Sequence, residues 1–223
     1  MHSNLNTYIL QAKFFTSKYN FVIIIAVNGE KNMKLNNKKP LIICVCGKAR
    51  SGKNTVCNFM YSNFQKKGYK TILSPYAKYL KKYINEISGW QESDDNKKPR
   101  ELLQDISSQL IKKKLGYTNF FIERQIQDIN IYSYFFDIIM IPDVRFPNEI
   151  EELRKNFKRV IAIGIERPNF DNGLTETQKN DVTETSLNNY QNFDYYIVNK
   201  NNEKELFNIT KEIMLDIRKK ELL

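Results

Sequence analysis

The residues Gly47-Lys48-Ala49-Arg50-Ser51-Gly52-Lys53 set two glycines five positions apart, directly ahead of a lysine, and this spacing suits the capture of phosphate. The glycines let backbone N–H groups turn inward around phosphate oxygens, and a helix opening at the lysine adds the positive potential of its N-terminus. Lys53 then reaches the β and γ phosphates of a nucleoside triphosphate, and Gly47 to Thr55 becomes the candidate ATP seat. The position after the lysine usually carries a hydroxyl that ligates Mg²⁺. Here it is Asn54, whose amide oxygen suits the metal either directly or through a bound water. Thr55 has a hydroxyl, but the next residue of a helix points about 100° away, so it is not an automatic substitute. The competing reading, a chance Gly-Lys turn, has to explain strand, glycines, lysine and helix together.

Two further side chains suit the same chemistry. Asp143 ends the apolar run Phe136-Asp137-Ile138-Ile139-Met140-Ile141-Pro142, which puts it at the carboxyl edge of a sheet, where ligands collect in open α/β folds and a carboxylate can hold a metal-bound water. Arg145 can donate a fork of hydrogen bonds to phosphate. The alternative is that Asp143 caps the helix containing Asn148 to Leu153 and Arg145 makes a surface pair. Arg100 follows Pro99 at a helix start, a position that favours a dianionic phosphate and equally suits an ordinary exposed arginine.

The absent residue types exclude other chemistries. The only histidine is His2, which argues against most triad hydrolases and zinc enzymes. Cys44, Cys46 and Cys57 have neither the number nor the spacing of a disulfide or zinc framework, and read as reduced, buried thiols of a cytoplasmic protein.

The elements that must position these groups follow from apolar runs. Leu41 to Cys46 reads as a strand buried on both faces, followed by a helix from about Lys53 to Gln65. Tyr69 to Leu73, Phe136 to Ile141, Val160 to Ile165 and Asp194 to Val198 read as four more strands. Helices are expected from Pro75 to Ile87, Pro99 to Lys114 and Asn119 to Ile131, the last with Ile122, Ile126 and Ile129 on one stripe. A closing helix, Asn202 to Lys220, turns Leu206, Ile209, Ile213 and Ile217 inward. Apolar strands alternating with helices predict a mainly parallel five-stranded sheet covered on both faces, a three-layer α/β sandwich. The polar stretch 167–189 interrupts the alternation and reads as a surface loop or a mobile lid.

The chain has 223 residues and a formal charge of +10, and its first forty residues hold six lysines against one glutamate. No aromatic-interleaved basic run accompanies this charge, so a solvated lysine-rich surface is preferred over a nucleic-acid interface. The apolar run Phe21 to Val27 is far short of the about 20 residues that span a bilayer, and no membrane partner is expected. Gly29-Glu30 can be encoded as GGAGAA, a ribosome-binding sequence, a few codons before Met33. The expectation is therefore that translation starts at Met33, with 1–39 an extension ahead of one domain over 40–223. An N-terminus at Met1 or His2 in the natural protein, read by mass spectrometry, would refute it.

With GKARSGKNTV, IPDVRFPNEIEEL and DVTETSLNNYQNFDYYIVN in this order, the chain resembles the deoxynucleoside monophosphate kinases of phages and bacteria from about Pro40 to its end. The resemblance implies a P-loop NTPase sandwich that uses ATP and Mg²⁺. Its implied acceptor is a nucleoside monophosphate. Members of that family carry Asp after the loop lysine, so a residue without a hydroxyl at Asn54 fits their habit, although Asn removes a negative charge near the metal. Lys78, Arg100 and Gln104, within a helical region of about 75–131, match positions that face the acceptor in such kinases. Glu184 is expected to touch the ligand or an arginine. The mechanism this implies has Lys53, Arg145 and Arg167 closing on the transferred group. Dephospho-coenzyme A kinase and phosphomevalonate kinase are rivals within the same chemistry, and a nucleotide switch or DNA-associated ATPase is the rival outside it. A homodimer is left open.

Overall fold

The computed structural model describes residues 36–91 and 99–220. Residues 1–35, which include Met33 and most of the extension, lie outside them. Among the described residues, β1 (Leu41–Gly47), β2 (Thr71–Leu73), β3 (Ile138–Val144), β4 (Val160–Glu166) and β5 (Tyr195–Val198) form one sheet in the order β2-β3-β1-β4-β5. Every pairing is parallel. The helices are α1 (Lys53–Lys66), α2 (Lys78–Ser88), α3 (Arg100–Gln104), α4 (Phe120–Tyr132), α5 (Pro147–Asn156), α6 (Glu176–Lys179), α7 (Val182–Thr185) and α8 (Glu203–Lys219).

The apolar strands are buried because both sheet faces are covered. In β1, Leu41, Ile43 and Val45 pack with Val56, Met60 and Phe64 of α1 and with Leu206, Ile213 and Ile217 of α8. Ile42, Cys44 and Cys46 point the other way, towards Ile122 and Ile129 of α4 and Ile150 and Leu153 of α5. This period-2 division of one continuous apolar run makes a three-layer α/β sandwich, one parallel sheet between two layers of helices. The three cysteines are free and buried, and desolvation raises their thiol pKa values. None of the helices among the described residues is long and apolar enough to cross a membrane.

Several boundaries differ from the sequence expectation. The run expected as one helix from Pro99 to Lys114 is α3 followed by a π-helical segment, Asp105–Lys114; a wider i→i+5 pairing leaves no periodic mark over so few turns. β3 starts and ends later than the apolar run suggests, so Asp143 lies within the strand's end. Pro75 lies three residues ahead of α2, which ends at a C-cap glycine, Gly89, with φ 72°. The stretch 167–189 contains α6 and α7.

Candidate functional site

The order of the strands puts the loop after β1 where the chain's crossovers diverge, with β3 on one side and β4 on the other. That is where open α/β sheets leave a crevice. Gly47 has φ 144°, and a Cβ there would lie 2.2 Å from the Ile165 carbonyl oxygen of β4, so the loop leaves β1 through a gap only glycine fits. Gly52, with φ 108°, is the N-cap of α1 and has no side-chain cap. The first-turn N–H groups of α1 therefore remain directed at the crevice. Asn199, buried beyond β5, donates from Nδ2 to the Ser51 carbonyl at 3.0 Å and fixes the loop's shape. This fastener escaped the sequence reading, since nothing marks an asparagine 148 residues away.

Lys53 is buried, 7% exposed, and its Nζ donates to the Lys48 carbonyl. Burial pushes its pKa down to about 7, and the Arg145 guanidinium pushes the same way, against Glu184 and Asp143. Ser51 is 2% exposed, and its Oγ lacks a hydrogen-bond partner among the described residues. A buried hydroxyl left in this state marks a place for a ligand atom or water. Asn54 is exposed and Thr55 half-buried on the first turn of α1.

The segment Asp143 to Glu149 divides its labour. Asp143 accepts from the N–H groups of Tyr76 at 2.8 Å and Ala77 at 3.0 Å, so it secures the entry to α2, not the helix that follows it in sequence. That corrects the capping alternative: the cap is real but spans 66 residues. Burial raises the Asp143 pKa in spite of these two bonds. The local helix, α5, is held by Glu149, which accepts from Arg145 N at 2.7 Å and Phe146 N at 3.1 Å. With Pro147 at its first position, α5 has a recognisable start, a local signal passed over when the capping role was offered to Asp143. Desolvation raises Glu149 to about 7. Arg145, freed of both duties, donates Nη1 to the Gly47 carbonyl at 3.0 Å and to Glu184 Oε1 at 2.9 Å.

The 167–189 segment folds over the loop. Glu184, 9% exposed, accepts the Ala49 N–H through Oε2 at 2.7 Å. Arg50 has φ 58° and donates to the Asn172 carbonyl at 2.9 Å. Arg167 donates to the Arg50 carbonyl at 3.3 Å and to Asn201, and stacks on Phe170 at 3.4 Å. Arg167 thus sits on the loop's outer shoulder, while Arg145 and Lys53 occupy its interior. A cleft of about 440 Å³ lies between this segment and the ends of β1 and β4, reaching Ser51 and Glu184 on one side and Phe193 and Tyr196 on the other.

The residues matched to an acceptor site are dispersed. Gln104 donates to Asp181 Oδ2 at 2.9 Å, tying α3 to the N-cap of α7. Lys78 pairs with Asp128 at 2.5 Å and donates to Ser74 and Tyr132. Arg100 is exposed at the first position of α3.

No protein-family model matches the chain, and no curated protein sequence matches it. Similar solved structures include the APS kinase CysC of Mycobacterium tuberculosis, at 10% identity and a TM-score of 0.47 over 78% of this chain and 97% of that one. The same kinase has been solved in complex with AMPPNP and APS. The shikimate kinase of Aquifex aeolicus is similar at 16% identity and a TM-score of 0.44, over 82% of this chain and 99% of that one. Likenesses this low say nothing of the reaction, which has to be read from the loop itself.

Proposed function

We propose that the chain is an ATP-dependent phosphotransferase whose acceptor is a nucleoside monophosphate, preferentially a deoxynucleotide. The observation that carries the reading is the convergence at one loop of a buried lysine, a half-buried arginine and an unpartnered buried hydroxyl, Lys53, Arg145 and Ser51. Arg145 already has Glu184, but the Lys53 ammonium meets a backbone carbonyl and not a carboxylate and the Ser51 hydroxyl is unpartnered, an arrangement that is costly to bury unless a further anion completes it. A triphosphate does so, with the loop's N–H groups and the N-terminus of α1 taking its oxygens.

In this reading the acceptor's phosphate oxygen attacks the γ-phosphorus and the bond to the β–γ bridging oxygen breaks, giving ADP and a diphosphate. Such a transfer needs positioning and charge neutralisation more than covalent participation, which suits a chain without a histidine among residues 3–223. Lys53 and Arg145 neutralise charge on the transferred group, and the 167–189 segment, with Arg167 at its start, excludes water. Mg²⁺, arriving with the nucleotide, would screen its phosphates. The described residues contain no group of three carboxylate, cysteine or histidine side chains that could hold a metal, and the exposed Asn54 amide fits an ion bound mainly by phosphate and water. Asp143, whose two oxygens already accept backbone N–H groups, fits only through an intervening water.

The acceptor is identified by following ADP release from ATP·Mg²⁺ with a panel of ribo- and deoxynucleoside monophosphates, dephospho-coenzyme A and phosphomevalonate. Turnover that depends on a deoxynucleotide supports the proposal. Turnover only with another acceptor replaces the substrate, and ATP binding without acceptor-dependent turnover favours a switch.

A further inference from the structure

Glu184 is an anion in the place expected of another anion. Its two carboxylate oxygens are taken by the kinds of donor that hold phosphate: Oε2 by the loop N–H of Ala49 at 2.7 Å, Oε1 by the Arg145 guanidinium at 2.9 Å. Its charge also acts on Lys53. The side chain does not arrive by chance of surface rotation. It projects from α7, whose N-cap Asp181 accepts the N–H and hydroxyl of Thr183 and is itself held by Gln104.

Resting on the reading of Gly47 to Lys53 as a phosphate seat, we propose that Glu184 is a tethered competitor for that seat. Nucleotide binding then proceeds by exchange of a carboxylate for a phosphate and moves α7 with it. Two anions cannot share these few donors in a dry crevice, since their repulsion there is weakly screened. A guanidinium and an amide N–H offer only donors, so both pass to the incoming oxygens without a change of protonation. The carboxylate leaves Ser51 Oγ unpartnered, whereas a polyphosphate brings oxygens enough to reach it. The exchange keeps the site's positive charge paired in both states, protecting the loop when nucleotide is scarce. It also makes the position of the 167–189 segment report whether the seat holds phosphate.

The test is calorimetric binding of tripolyphosphate and ATP to the full chain as wild type, Glu184→Gln, Glu184→Ala and Lys53→Ala, each confirmed folded by circular dichroism. If the seat is open in about one molecule in ten, removing the competitor tightens binding about tenfold. Glu184→Ala is expected to show this gain and Glu184→Gln, which keeps a neutral acceptor for Ala49, a smaller one. Limited proteolysis supplies a second reading: ATP should change cleavage within 167–189 of the wild type, and Glu184→Ala should show that pattern without ATP. Unchanged or weaker binding in both folded variants, with wild-type binding intact, overturns the competition and leaves the phosphate seat standing. Failure of every folded protein to bind either polyphosphate overturns both.

Discussion

Lys53 is a cation whose charge is suppressed by its surroundings, with burial and Arg145 holding its pKa at about 7. Phosphate oxygens favour the charged form, so polyphosphate binding should raise that pKa and take up a proton. The sign follows: affinity falls as pH rises above about 7. Calorimetry at pH 8 in two buffers of different ionisation enthalpy should show uptake approaching one proton, and release would contradict it. For stability the depressed pKa works the other way, its contribution being present above 10.5 and lost as pH falls through about 7. Glu149 is the mirror case. Raised from 4.5 to about 7, it favours the fold below 4.5 and that contribution is lost as pH rises through about 7. Glu149→Gln, which keeps an acceptor for the two N–H groups, should therefore lose less stability at pH 8 than at pH 5, measured by urea unfolding.

At the scale of elements, what could be foreseen depended on how local the signal was. The strand, loop and helix from Leu41 to Lys66 were legible because an apolar run, two spaced glycines and a lysine all act within one turn of chain. Asp143 was legible as a residue at a sheet edge but not as the anchor of α2, because its partners Tyr76 and Ala77 come from another crossover. Glu184 was expected to meet the ligand or an arginine. That the arginine is Arg145, and that the other oxygen takes a loop N–H, depends on a contact between residues 135 apart. The stripe expected on α4 is real, yet Gln125 and Asp128 are buried beside it. Gln125 donates to Ser74 and Asp128 accepts from Tyr79, pairings that hydrophobic periodicity does not encode. Asp143→Ala should orphan two N–H groups and cost about 1–2 kcal/mol, seen as a lower urea midpoint with an unchanged slope. Gln104→Ala breaks only an exposed contact and should leave the midpoint within about 0.5 kcal/mol.

At the scale of the molecule, the sheet order brings distant parts of the chain to one loop: Gly47 from β1, Arg145 from beyond β3, Ile165 from β4 and Asn199 from beyond β5. Gly47→Ala forces a Cβ against the Ile165 carbonyl and should lower stability by at least the ~1–3 kcal/mol of a strained backbone, with loss of nucleotide binding. The central claim is phosphoryl transfer at this loop, and it is tested most directly with γ-labelled ATP·Mg²⁺ and a deoxynucleoside monophosphate, wild type beside Lys53→Ala. The account predicts label in the deoxynucleoside diphosphate, formed about 10²–10³-fold more slowly by the variant. Label released only to water, or equal rates from the two proteins, would contradict it.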